Sequence, residues 1–336
     1  MSLSSAAARI FGSVLLCALL PGCRHQPPYF AFIDKSGHVR IRLQPAQEAT
    51  SFSEGLAAVS RDGRWGYINT SGTWVIPPRF VAEEEFSEGL AVVTTGEYAS
   101  KTAQLGFIDR TGKFVIAPRF EWASSFSDGV AAVCAGRCRD LAMPVPRRNY
   151  GYINKAGDFV IEPQWEFAGP FSEGRAWVSE MPLLIGGKIV DHQQPTERLI
   201  DPTGKLVSDT RFGWGARFSC GLAATDRGYV NRAGEVVIAR PLPSTEESFA
   251  EGWAGVTEGG RTVFIDTTGK VVLRPDCQYA TSFSEGLAAA CKNDRDYDNG
   301  WVYIDRTGKF VIPPQFHHSL GPFRNGLALV CFGCRD

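Results

Sequence analysis

Gly106-Phe-Ile-Asp-Arg-Thr-Gly-Lys-Phe-Val-Ile-Ala-Pro-Arg-Phe120, followed after five residues by Phe126-Ser-Asp-Gly-Val-Ala-Ala-Val133, is the stretch that decides the fold. Its apolar runs are too short for helices and are bounded by turn residues, which is the signature of β-strands. Asp109-Arg-Thr-Gly112 reads as a tight turn, because Asp can bond its own backbone and Gly supplies a positive φ. Phe126-Ser-Asp-Gly129 introduces the next strand.

Both markers recur in either direction along the chain. Phe-Ser-Glu-Gly and its variants start at Phe52, Phe86, Phe126, Phe171, Phe218, Phe249, Phe283 and Phe323. The Asp/Asn-x-x-Gly turn ends at Gly37, Gly72, Gly112, Gly157, Gly204, Gly234, Gly269 and Gly308. The two series have eight members each and alternate without a miss. Within one unit, Leu56-Ala-Ala-Val59 reads as a short, half-buried first strand, and Asp62-Gly63 as a hairpin turn. Trp65-Gly66-Tyr67-Ile68 is the second strand, and Asn69-Thr70-Ser71-Gly72 the tight turn. Thr73-Trp74-Val75-Ile76 is the third strand, expected to stop at Pro77-Pro78 because proline cannot donate to a ladder. Such a three-stranded meander cannot bury its apolar face alone.

This pattern resembles the WG-repeat family, named for the Trp-Gly that stands here as Trp65-Gly66. The resemblance covers nearly the whole chain after Tyr29. It implies a β-rich, propeller-like repeat and no defined biochemical activity. The chain opens at Phe30-Ala-Phe-Ile-Asp34, which matches a second strand, and closes on Leu327-Ala-Leu-Val330, which matches a first strand. If three strands make one sheet, the first sheet is completed only by the end of the chain. The expectation is therefore an all-β protein of eight three-stranded repeats over residues 29–336. A closed β-propeller-like ring is favoured, because closure removes exposed strand edges. An open β-solenoid is the alternative.

The N-terminus carries a different signal. Arg9 precedes an apolar run from Ile10 to Leu20, which is 11 residues long. A membrane-spanning helix needs roughly 20, so residues 1–22 read as a secretion signal. Leu20-Pro-Gly-Cys23 resembles the lipobox of bacterial lipoproteins, in which the Cys carries the lipid. Residues 23–28 would then be a short tether, and the membrane would be reached through the lipid anchor. Arg24 stands where that family's best-known inner-membrane retention signal is Asp, so the resemblance favours the outer membrane. A net charge of −1 argues against a nucleic-acid surface, which is normally basic.

The connections between first and second strands carry nearly all the length variation. The span is short at Ser60–Arg64, longer at Thr94–Leu105 and Cys134–Tyr150, and longest at Ser179–Arg198. Equivalent loops of a repeat protein emerge on one edge, and loops carry function, so this edge is the expected binding surface. Cys134 with Cys138, and Cys331 with Cys334, are expected to form local disulfides in an oxidising compartment. Cys277 and Cys291 flank one connection and are a further possible pair. Asp294, Asp296, Asp298 and Asp305 alternate in the manner of a calcium loop. However, Asn299 stands where glycine is required, and a solvated hairpin is the simpler reading. Glu83-Glu-Glu85 likewise reads as a solvated connection. The histidines His25, His38, His192, His317 and His318 fall in no motif, and no Gly-x-Ser-x-Gly, His-Glu-x-x-His or phosphate loop is present. The expectation is a non-enzymatic, lipid-anchored envelope module that binds protein or glycan; the alternatives are an architectural lipoprotein with no discrete ligand and, behind it, an envelope hydrolase whose site leaves no recognisable motif.

Overall fold

The computed structural model describes residues 28–44, 47–96, 103–136, 149–179, 184–185, 188–189, 196–240, 248–291, 301–316 and 321–333. Among these residues every regular element is a β-strand. The strands form eight antiparallel sheets of three or four strands, plus a two-stranded ribbon at Leu184–Ile185 and Lys188–Ile189. The second sheet shows the pattern: Leu56–Arg61 pairs with Arg64–Asn69, which pairs with Trp74–Phe80. In the third, fourth, fifth and eighth sheets a two-residue strand, such as Ala82–Glu83, adds to the free side of the first strand. In the first sheet the partners come from opposite ends of the chain. Tyr29–Asp34 pairs on one side with Val39–Arg42 and on the other, in continuous register, with Leu327–Phe332.

Most first strands are not half-buried, as alternation suggested, but buried on both faces; Trp253–Glu258 in the seventh sheet is the exception, alternating and exposed at its end. From Leu56 to Ser60 every residue is buried, and the same holds from Ala131 to Cys134 and from Leu287 to Cys291. The reason is that each sheet is covered by a neighbour on either side. Leu56 and Ala58 pack toward the third sheet with Tyr67, Phe86 and Ile108. Ala57 and Val59 pack toward the first sheet with Phe32, Ile41 and Phe52. Small residues are needed because two cores meet across one strand. A similar core joins the eighth and first sheets, where Tyr303, Ile312 and Phe316 meet Ala31, Ile33 and Val330.

Each marker Phe is a bolt between sheets. Phe86 lies against Tyr67 of the preceding sheet with ring centroids 4.8 Å apart. Phe126 repeats this on Phe107, Phe171 on Tyr152, Phe249 on Tyr229, and Phe323 on Tyr303. Where the partner is Tyr, its hydroxyl can bond the chain just ahead of the Phe. Tyr67 donates to the Glu84 carbonyl, Tyr152 to Gly169 and Tyr303 to Gly321, each at 2.8 Å. Burial therefore holds these phenols far above their ordinary pKa.

The third strand runs through the prolines instead of stopping at them. Trp65 faces Phe80 while Tyr67 faces Ile76, so two extra residues of the third strand are accommodated opposite Gly66. This bulge holds Pro77 and Pro78, where their missing N–H groups cost the ladder nothing. It also explains the glycine of the Trp-Gly pair. A Cβ on Gly66 would stand 2.6 Å from Pro78 N and 2.7 Å from Pro77 C, both backbone atoms. Gly106 and Gly151 face the same obstruction from Pro118 and Pro163.

Candidate functional site

The Phe-Ser-Glu-Gly turns are two-residue hairpin turns. Ser53 and Leu56 exchange backbone hydrogen bonds, and Glu54 and Gly55 both have positive φ, at 52° and 78°. Glu in that conformation is strained, and the strain is offset by a contact one unit ahead. The Gly89 N–H donates to the Glu54 carboxylate at 3.0 Å. Gly129 donates likewise to Glu88, Gly174 to Asp128, Gly221 to Glu173, Gly286 to Glu251, and Gly326 to Glu285. The series then runs from the last turn to the first, because Gly55 donates to the Asn325 side-chain oxygen at 3.1 Å. These bonds form a belt of turn-to-turn links. At the one remaining position stands Cys220, also at positive φ (57°) and exposed, whose side chain offers no carboxylate.

Cations from the Asp/Asn-x-x-Gly turns reinforce the belt. Lys35, Arg110, Lys155, Arg232 and Arg306 pair with Glu285, Glu54, Glu88, Glu173 and Glu251 respectively. The first residue of those turns acts as foreseen. Asp109 Oδ1 accepts from Thr111 N, Thr111 Oγ1 and Lys113 N. The hydroxyl bond foremost, with the backbone bonds, holds the Asp34, Asp109, Asp201, Asp266 and Asp305 carboxyls below the usual range.

Glu83-Glu84-Glu85 is solvated only in part: Glu84 is exposed, while Glu83 and Glu85 are half-buried. Burial first, and the neighbouring glutamates second, push the Glu83 carboxyl up to about 7. Glu84 accepts from Ser125 Oγ at 2.7 Å and stands near Arg217, while Glu85 pairs with Arg324. Segments leading into the third, fourth, sixth and first sheets thus converge on one another. Period-based reading missed this, because each contact joins residues from different units. A second raised carboxyl, Glu197, lies at the foot of the longest connection. Burial pushes it up to about 7, and Gly215 N donates to it.

Of the residues expected to carry function, Cys134 and Cys331 are fully buried near the ends of their strands. Cys23, Cys138, Cys334, Asp294, Asp296 and Asp298 lie outside the described residues, as do His25, His192, His317 and His318. Asp305 serves its own turn, accepting from Thr307 and Lys309. His38 is exposed beside Ser36. Cys277 and Cys291 are not joined as a disulfide; both are buried, and burial pushes the Cys277 thiol up to about 11. Among the described residues no group of three His, Cys, Asp or Glu side chains is placed to hold a metal ion.

One cleft of about 610 Å³ opens between the second and third sheets, within the size range of small-molecule sites. Arg64, Arg79 and Lys113 line it together with Phe80, Phe114, Thr95 and Thr111, and among the described residues no acidic side chain is in its walls. Arg79 is held in place by donating to the Gly112 carbonyl while its guanidinium lies 5.0 Å from the Phe80 ring. Arg64 begins the strand after the connection Ser60–Arg64, and Thr95 ends the strand before the next one. The cleft therefore sits where two of the variable connections leave the framework.

The fold and these turns define an all-β repeat protein whose units interlock through their turns. The model of the family described as "WG containing repeat" matches residues 47–65, 65–98, 106–136, 150–180, 264–295 and 301–333, together just over half of the chain. The chain belongs to the WG-repeat family. No curated protein matches it. Among solved structures it is similar to a eukaryotic initiation factor at 14% identity, over 91% of this chain and 98% of that one, with a TM-score of 0.49. It is similar to a structure from a study of two prolyl endopeptidases at 11% identity, over 84% of this chain and 48% of that one, with a TM-score of 0.49. A putative TolB from Agrobacterium tumefaciens is 9% identical over 73% of this chain and 87% of that one, with a TM-score of 0.35.

Proposed function

We propose that this chain is a lipid-anchored binding or scaffolding module of the bacterial cell envelope, built as a closed ring of eight sheets. Closure is supported by the pairing of Tyr29–Asp34 with Leu327–Phe332, by the core between the eighth and first sheets, and by the turn link from Asn325 to Gly55. The lipid is carried by Cys23, and Arg24 favours the outer membrane. Local disulfides join Cys134 to Cys138 and Cys331 to Cys334, trimming the ends of two buried strands.

The ligand edge is formed by the connections between first and second strands. One observation carries this: the turns repeat with fixed geometry, whereas these connections differ in length from unit to unit. A framework under uniform constraint with one variable edge is the layout of a binding protein. The ligand is a protein or glycan of the envelope, and no cofactor takes part. Deleting Pro182–Pro195 and repeating an in-cell crosslinking experiment tests the reading. Loss of crosslinked partners with unchanged folding supports it; unchanged partners favour an architectural lipoprotein without a discrete ligand. Cys23→Ser should release the protein from the membrane fraction.

A further inference from the structure

The cleft between the second and third sheets differs from the belt in how its charges are used. Five cations of the Asp/Asn-x-x-Gly turns are spent on belt carboxylates. Arg64, Arg79 and Lys113 converge on the cleft, and no ion pair joins any of them to a carboxylate among the described residues. The Asp109 carboxylate beside Lys113 offsets one of these three charges, and the remaining excess of positive charge is relieved when an anion occupies the space between them.

The uncharged walls narrow the class of anion. Phe114 keeps 37% of its surface exposed on the cleft, edge-on to Phe80 with centroids 6.3 Å apart, so an apolar face has somewhere to lie. The two threonine hydroxyls have already committed their protons. Thr95 Oγ1 donates to the Gln104 carbonyl at 3.3 Å, and Thr111 Oγ1 donates to Asp109 Oδ1 at 2.6 Å. A hydroxyl that donates inward presents only lone pairs outward. The cleft thus offers cations to an oxyanion, a ring edge to an apolar face, and acceptors to hydroxyl donors. Sulfate meets only the first of these demands, and a fatty or aromatic acid meets the first two. A saccharide bearing carboxylates meets all three.

We propose that this cleft binds an acidic saccharide, with the carboxylate held by Arg64 and Lys113 against the fixed guanidinium of Arg79. The sugar's C–H face lies on Phe114, and its hydroxyls donate to Thr95 and Thr111. This inference rests on the reading that the variable edge is the ligand edge, and it names a substrate class for one part of it.

The test is calorimetric titration of the mature chain with trigalacturonate, its methyl ester and sulfate. The expected result is trigalacturonate binding that weakens at least ~10-fold with the ester, with 0.5 M added salt, and in the R64E/K113E double variant. Both substituted side chains are exposed, so an unchanged melting temperature certifies the variant's fold. Phe114→Ala should weaken trigalacturonate while leaving sulfate unaffected. Absence of binding at about 1 mM, equal affinity for acid and ester, full retention in R64E/K113E, or a sulfate affinity that matches trigalacturonate would each overturn the proposal. The Pro182–Pro195 deletion separates the two readings. If it abolishes envelope partners while the cleft variants change nothing, the ligand edge stands and the saccharide site falls.

Discussion

Opposite ends of the same strands obey different rules. Where a first strand begins, the Phe-Ser-Glu-Gly turn is clamped on all sides: its Phe is buried, its Glu bonds the next turn, and a cation from a neighbouring unit pairs with that Glu. Where the same strand ends, the connection is five residues in one unit and several times longer in others. The difference shows what the repeat is for. One end carries interlocking contacts that tolerate no insertion, because a shift there would break links to two other units. Among the described residues the other end has no such repeated belt, only single links such as Arg240 to Thr257 and Glu258, so it can diverge unit by unit while the framework stays constant.

The strongest challenge to that contrast removes the contribution of the chain's end. Truncation before Leu327 strips Tyr29–Asp34 of a partner strand and opens the core around Tyr303 and Phe316. It should abolish cooperative folding, read as loss of a sharp calorimetric transition. An open array predicts instead that only the terminal unit is lost. Next in size is Gly106→Ala, which puts a methyl against the Pro118 backbone. Overpacking of this kind should cost about 1–3 kcal/mol in chemical denaturation. Equal stability would show that the bulge is looser than its contacts imply.

The belt itself is open to a paired test. Glu88→Ala removes the acceptor of Gly129 and the partner of Lys155. For a partly exposed charge-assisted bond, a loss of ~0.5–1 kcal/mol is expected. Cys220→Glu should change stability in the opposite direction, by supplying an oxygen acceptor at the one turn of the series that lacks it. A loss from both substitutions would mean that position, not linkage, sets the residue. The acid limb gives a smaller signal. The five turn aspartates have depressed folded values, so their contribution is present above the unfolded pKa of about 3.9 and is lost as pH falls through the folded values. Replacing Asp109 and Asp305 with Asn, which the chain itself uses at Asn69 and Asn154, should flatten stability against pH below about 4. The smallest effect is expected at the variable edge. Deleting Pro182–Pro195 should leave the melting temperature almost unchanged, and a large fall would mean that this edge too is part of the framework.

The array, the strand order and both turns were legible in the sequence, because each leaves its mark within a single unit. Asp109, Thr111 and Gly112 lie within four residues and satisfy one another. The belt was not legible, although its glutamates were in plain view. Glu54 meets Gly89 some 35 residues on, and a repeat period says that a residue recurs without saying what it touches. The buried first strands were misread for a related reason. Leu-Ala-Ala-Val looks like a strand with one wet face until both flanking sheets are known. Pro77-Pro78 looked like a stop because the ladder was imagined without a bulge, and Gly66 was the only clue that one exists. The cleft could not be foreseen, since Arg64 and Lys113 belong to different units, and Lys113 recurs as Lys205, Lys270 and Lys309 with nothing in the sequence to set it apart.

The pairing of Tyr29 with Phe332 also has a consequence in time. Synthesis from the N-terminus delivers Tyr29–Asp34 first and the strand that completes its sheet last. Joining ends so far apart carries a loop-closure entropy of about 5 kcal/mol, which must be met before the contact gives anything back. The middle sheets have no such wait, since their strands are neighbours in sequence. Folding should therefore run from the interior outward, with the first sheet the last to set and its N-terminal strand the longest unpaired.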